Sequence, residues 1–192
     1  MAAMAGVALL HVVVYYVVTR LTLLRPADAF IDAHLALDDQ IPHLSWTWPA
    51  YWLPYVLVPI AAGASIGRLD SGAFWRLFRA WCGMVGVGGA IQVMWPAVAP
   101  WPQVPALSQQ LYHDSALMLP YATLPSMHVA HVALAALVSG TVFPSAAVRL
   151  TGGFITVVVA ASTLTLKEHV LLDAASGLAL ALATWQWWRR AP

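Results

Sequence analysis

The chain has 192 residues, of which 61% are hydrophobic and 9% charged, with a formal net charge of +1 and a mean hydropathy of +0.74. A water-soluble domain of this size carries about a quarter charged residues, so the composition excludes an ordinary soluble fold. The absence of a basic patch argues against a nucleic-acid partner, and the lone cysteine, Cys82, excludes an intrachain disulfide.

Six apolar stretches reach or approach the length needed to cross a hydrocarbon core of about 30 Å. They run over 5–24, 49–66, 74–98, 127–143, 146–164 and 170–188. The first has no Lys or Arg before it and no small-residue cleavage pattern after it, so it reads as a retained helix rather than a signal peptide. Between the first two lies "RPADAFIDAHLALDDQIPHLSWTWP", where Asp28, Asp32 and Asp39 recur at near-helical spacing. This predicts a short helix lying in the membrane interface. Trp46, Trp48 and Trp52 then read as headgroup-level anchors. In the third stretch Gly83, Gly86, Gly88 and Gly89 predict close approach of another helix. The proline-bearing loop from 100 to 124 has no Lys or Arg, and its Asp114 is a candidate contact for a polar head group. The fourth stretch is short, and only a few residues separate it from the fifth, so those two form a tight hairpin. The predicted fold is all-α: six transmembrane helices in one bundle, with a short interfacial helix, forming a single membrane domain over 1–192.

Positive charge sets the expected orientation. With the amino terminus cytoplasmic, that side collects Arg68, Arg76, Arg79, Arg149, Arg189 and Arg190, and the other keeps Arg20, Arg25 and Lys167. Both termini are then cytoplasmic, and the starts of the fourth and sixth stretches face outward.

Those two starts carry the chemistry-bearing residues. In "LPSMHVAHV", Ser126 is a natural N-cap, and the free N–H groups of the turn holding His128 make an anion site. In "STLTLKEHVLLDAASG", Thr165 and Glu168 fit a capping box that places His169 in a first helical turn. Asp173, four residues on, falls on the same face. A carboxylate there fixes the imidazole tautomer and leaves the other nitrogen more nucleophilic. His128, His169, Asp173, Ser126 and Lys167 together suit phosphoryl transfer: one histidine attacks phosphorus, the other protonates the leaving oxygen, and donors hold the remaining oxygens. His131, one turn below His128, is a possible pocket residue; His11, His34, His43 and His113 belong to no motif.

The pattern resembles the type-2 phosphatidic acid phosphatase superfamily, with its motifs K-x6-R-P, P-S-G-H and S-R-x5-H-x3-D. Here the second reads Pro125, Ser126, Met127, His128, and the third reads Ser162, Thr163, five residues, His169, three residues, Asp173. The resemblance implies a histidine nucleophile at His169, oriented by Asp173, and a general acid at His128. It adds Ser162 to Lys167 and Ser126 as phosphate contacts, and it implies no metal and no cofactor. The usual motif arginines are replaced by Trp101, before Pro102, and by Thr163, and the motif glycine by Met127. Arg20 and Arg25 stand on the same side as further cations, Arg25 as a possible pocket residue. "DDQIPHLSWTWP" and "KEHVLLDAASG" are similar to the branch of inositol phosphorylceramide and sphingomyelin synthases, which move a head group between lipids. The expected partner is thus a membrane lipid bearing a phosphate ester, with water or a lipid alcohol as acceptor.

Three other readings compete. His128, His131, His169 and Asp173 also make up a nitrogen-and-oxygen metal or haem ligand set. A proton-coupled transporter is a second, although no inverted repeat is visible. The third is an inactive member of the superfamily, given the replaced arginines.

Overall fold

The computed structural model describes residues 2–98 and 123–191. Among them are six helices: α1 (Ala2–Leu23), α2 (Trp48–Ile66), α3 (Ser71–Met94), α4 (Met127–Val142), α5 (Ala146–Thr165) and α6 (Leu171–Arg190). The class is all-α. The helices at Ser45–Ile66, Ser71–Met94 and Ala146–Thr165 are long and apolar enough to cross a membrane, whereas Leu9–Leu23 and Met127–Val142 are shorter apolar stretches. α4, at 16 residues, is about 24 Å long. It packs against α2, α5 and α6, while α1 packs on α3 and α3 on α6. Val129, Ala130, Val132, Ala133, Leu134, Ala135 and Val138 of α4 are all buried. The central helix thus meets protein rather than lipid on most of its surface. Large apolar side chains such as Leu9, Ile60, Leu150, Phe154 and Val157 lie exposed on the outer helices, a face that water would penalise and lipid tolerates.

Small residues set the helix spacing. A Cβ at Gly88 would lie 2.6 Å from the Met127 sulfur, and one at Gly89 would lie 2.5 Å from Val14 Cγ1. Gly83 and Gly86, expected to act the same way, have no atom within 4 Å of a Cβ. The expected interfacial helix does not form. The segment instead has 3-10 turns at Ala27–Ala29, Asp38–Gln40 and Ser45–Thr47, with strand β1 (Ile31–Asp32) between the first two. β1 pairs in parallel with β2 (Ala97–Val98), Ile31 opposite Ala97. Asp32 and Asp38 account for this locally, because their carboxylates accept the N–H groups of His34 and Leu35 and hold turns instead of a helical ladder. Trp46 is exposed, consistent with its anchoring role, but Trp48 and Trp52 also join an aromatic cluster with Tyr51 and Tyr55.

The tightest crossing lies between the starts of α4 and α6. The Ser126 N–H donates to the Asp173 carbonyl at 3.0 Å, and Gln92 Nε2 donates to the Pro125 carbonyl at 3.2 Å. A Cβ on Gly177 would collide with the Ser126 carbonyl oxygen. We predict that Gly177→Ala lowers the thermal midpoint in detergent, at a cost of about 1–3 kcal/mol. Gly153→Ala, where nothing lies within 4 Å of an added Cβ, should leave it unchanged.

Candidate active site

α5 does not run on into α6. Its last turn closes with Glu168 N–H on the Thr163 carbonyl and Lys167 N–H on the Leu164 carbonyl, with Lys167 at φ 62°. This is the double bond pattern that ends a helix on a left-handed residue. A lysine there costs roughly 1–2 kcal/mol relative to a right-handed conformation. Thr165 is therefore the end of α5 rather than the cap of α6. Its hydroxyl bonds the Ala161 carbonyl and the Thr47 hydroxyl, and the expected capping box with Glu168 is replaced. The cap of α6 comes from two carboxylates. Asp173 Oδ2 accepts the Val170 N–H at 3.2 Å, and Asp38 Oδ1 accepts the Leu171 N–H at 2.8 Å. Both are favourable against the positive end of the helix dipole.

His169 thus sits just before α6, not in its first turn. Val170 is extended (φ −104°, ψ 168°), which folds the imidazole back over Asp173, with Nδ1 3.1 Å from Oδ2. Since this oxygen also takes a backbone N–H, it is an acceptor, and His169 Nδ1 carries the proton. The Nε2 lone pair is left free for chemistry. Asp173 is fully buried, and its Oδ1 has no partner.

His128 stands one residue inside α4, whose N-cap is Ser126 as expected: its hydroxyl accepts the Val129 N–H. The His128 and His169 rings lie 5.9 Å apart, centroid to centroid. Tyr55 and Tyr51 of α2, which belong to no sequence motif, complete the His128 surroundings. The Tyr55 hydroxyl shares a hydrogen bond with His128 Nε2 at 3.1 Å, and the Tyr51 ring packs on the imidazole at 4.4 Å. The two tyrosines are four residues apart on a helix, a spacing visible in the sequence as one face.

The other expected contacts have different placements. Ser162 is buried, with its hydroxyl on the Val159 carbonyl. Lys167 Nζ donates to the carbonyls of Asp38 at 2.9 Å and Ile41 at 2.6 Å. Arg25 Nη2 donates to the Val93 carbonyl, and the Arg20 guanidinium lies over Tyr16. His131 turns away from the pair: its Nδ1 bonds the Met127 carbonyl at 2.7 Å, and its ring meets His11 edge-on. Asp114, His113 and Trp101 lie outside the described residues. Among the described residues no three His, Cys, Asp or Glu side chains converge as a metal site, so His128, His131, His169 and Asp173 do not form the alternative ligand set.

The segment around Asp38 acts as a strap across the turn that holds His169. Asp38 is 4% exposed and spends its carboxylate on Leu35 and Leu171, and its carbonyl on Lys167. Leu44 N–H adds a bond to the Thr165 carbonyl. No local motif marks Asp38 for this role. Removing the carboxylate frees the Leu35 and Leu171 N–H groups and so releases the turn whose backbone carbonyls hold Lys167. Asp38→Ala is expected to cost about 1–2 kcal/mol of stability and to slow turnover by roughly 10²-fold through misplacement of His169. Thermal unfolding and steady-state kinetics check this, with Asp38→Asn, which keeps one oxygen acceptor, falling between.

A family model described as the PAP2 superfamily matches residues 23–187. No curated protein and no solved structure matches the chain. The matched span takes in α2 to α5, all but the last turn of α6, and both histidine motifs. The chain therefore belongs to the PAP2 superfamily, whose members are generally phosphatases and phosphotransferases acting on phosphate esters.

Proposed function

We propose that the protein is an integral membrane enzyme that cleaves a lipid phosphate ester through a phosphohistidine on His169. The observation that carries this reading is the His169–Asp173 pair facing His128 across 5.9 Å. In the first half-reaction His169 Nε2 attacks phosphorus and the ester P–O bond breaks. His128, as imidazolium, gives its proton to the departing alkoxide. In the second, neutral His128 takes the proton of an acceptor hydroxyl, whose oxygen attacks phosphorus. The P–N bond breaks and His169 is restored. Asp173 holds the tautomer throughout and stabilises the charged ring. No step calls on a Lewis acid.

A lipid substrate is supported by an apolar cavity of about 320 Å³ between α2, α4 and α5, lined among others by Leu57, Val58, Val132, Ala136 and Ile155. Val132 is one turn below His128 and Val58 less than one turn below Tyr55, so the cavity begins beneath the histidine pair and leads into the apolar layer. A head-group transfer between lipids is the second reading. It is favoured by the engagement of Lys167 and Arg25 with backbone carbonyls, because a singly charged diester needs fewer cations than a doubly charged monoester.

Incubation with lipid monoesters and diesters, followed by product analysis, tests the reading. Inorganic phosphate marks hydrolysis, a new phospholipid marks transfer, and no product from any ester overturns it. His169→Ala should abolish turnover of every substrate. His128→Ala should lose about 10²–10⁴-fold on an alkyl ester yet still be phosphorylated by a nitrophenyl ester, whose leaving group needs no proton. Equal losses on both esters would overturn the assigned roles.

The arginine bias supports a site on the extracytoplasmic side, with both termini cytoplasmic. In a Cys82-free background, cysteines placed beside Ser126 and Lys167 should react with impermeant thiol reagents from outside, and one beside Arg149 should not. The reverse pattern would move the chemistry to the cytoplasm.

A further inference from the structure

Glu168 adjoins the proposed nucleophile and has no part in the steps above. Its residue is 8% exposed, and its Oε1 is buried without any hydrogen-bond partner. The Glu168 N–H, with that of His169, is held by the Thr163 carbonyl, so the backbone beneath it is fixed. The carboxyl lies within electrostatic reach of both the His169 ring and the Tyr55 hydroxyl that bonds His128. It adjoins the nucleophile in the chain and acts electrostatically on groups around both imidazoles. An unpartnered carboxyl oxygen in such a place is costly unless a ligand meets it. A phosphoryl group arriving there needs donors, and Lys167, next in the chain, has its ammonium on the carbonyls of Asp38 and Ile41.

We propose that Glu168 is a phosphoryl-binding residue that works as the neutral acid, donating its carboxyl proton to a non-bridging oxygen of a singly charged phosphodiester. This rests on the phosphotransfer reading of the site. Burial pushes the Glu168 carboxyl up to about 7 from its ordinary 4.5, with His169 opposing. The titratable groups coupled to it are His169 in its own turn, which bonds Asp173 of α6, and Tyr55 of α2, which bonds His128 of α4. Asp38, in the strap, is committed to Leu35 and Leu171. The sign follows directly. Below about 7 the carboxyl is a donor; above it, the carboxylate offers no proton and repels the anion, so diester binding weakens as pH rises.

The probe is dihexyl phosphate, which keeps a single negative charge from pH 6 to 8.5, titrated calorimetrically into the full-length protein in detergent. Wild-type dissociation constants should rise roughly thirtyfold across that range, as expected for one group titrating near 7. Glu168→Gln, which keeps a donor and cannot ionise, should change less than about threefold. A flat wild-type profile, or an unchanged pH dependence in Glu168→Gln, overturns the proposal and assigns the binding to the histidines. Infrared difference spectra of the wild type give a second measurement that no unfolded variant can spoil. A protonated-carboxyl band should be present at pH 6, shift on addition of dihexyl phosphate, and vanish by pH 8.5; its absence at pH 6 also overturns the proposal. Turnover of the ester panel is read separately, so an enzyme active on esters but flat in this titration refutes Glu168 alone.

Discussion

The bond from the Ser126 N–H to the Asp173 carbonyl is the joint on which the site depends. It lies in an apolar interior where an unpaired backbone group would cost several kcal/mol, so the beginnings of α4 and α6 are held in register. Gly177, one turn further along α6, makes the approach possible because its lack of a Cβ leaves room for the Ser126 carbonyl. Two positive helix ends thereby come together, an arrangement unfavourable on its own and favourable once anionic groups occupy it. Asp173 and Asp38 supply two of those groups permanently. A substrate phosphoryl group would supply the third.

This explains why the site tolerates so many acids. Asp38, Glu168 and Asp173 gather around one helix start, and all are buried. Two of them receive backbone N–H groups, which spread their charge into the helix dipole. The basic side chains at this end serve the scaffold instead: Lys167 ties the strap down and Arg25 closes the end of α3. On the proposed reading, anion recognition then falls to helix ends and neutral donors, a weaker field suited to a singly charged ester.

The surrounding bundle follows from lipid as solvent. With apolar tails outside, helices gain little from hiding leucines from one another, so close packing through small residues holds them. The burial of α4 by α2, α5 and α6 shows it. α2 carries Pro54 and Pro59 in its interior, each of which removes a ladder bond. Tyr55 sits between them, so a locally weakened helix presents the hydroxyl that meets His128.

The sequence by itself determined the class, the helix boundaries to within a few residues, and the Ser126 cap, because hydropathy and capping are local properties of the chain. It also paired His169 with Asp173, since a spacing of four brings side chains together whether the first lies inside the helix or just ahead of it. Tertiary structure decided the rest. The turn that ends α5 at Lys167 depends on a left-handed lysine whose ammonium is anchored 126 and 129 residues away, and no local pattern announces such a partner. The same holds for Asp38 as a cap of α6, a bond spanning 133 residues, and for Tyr55 on His128, spanning 73. Asp28, Asp32 and Asp39 kept a helical period but made no helix, because side-chain bonds to the local backbone and the pairing with Ala97–Val98 outweighed a weak propensity. His131 shares a helix face with His128 but turned to His11, because α1 and α3 pack against that part of the core. Distance along the chain hides such contacts from a sequence reading: closing a long loop costs little more than closing a short one, so remote partners are thermodynamically accessible and leave no periodic trace.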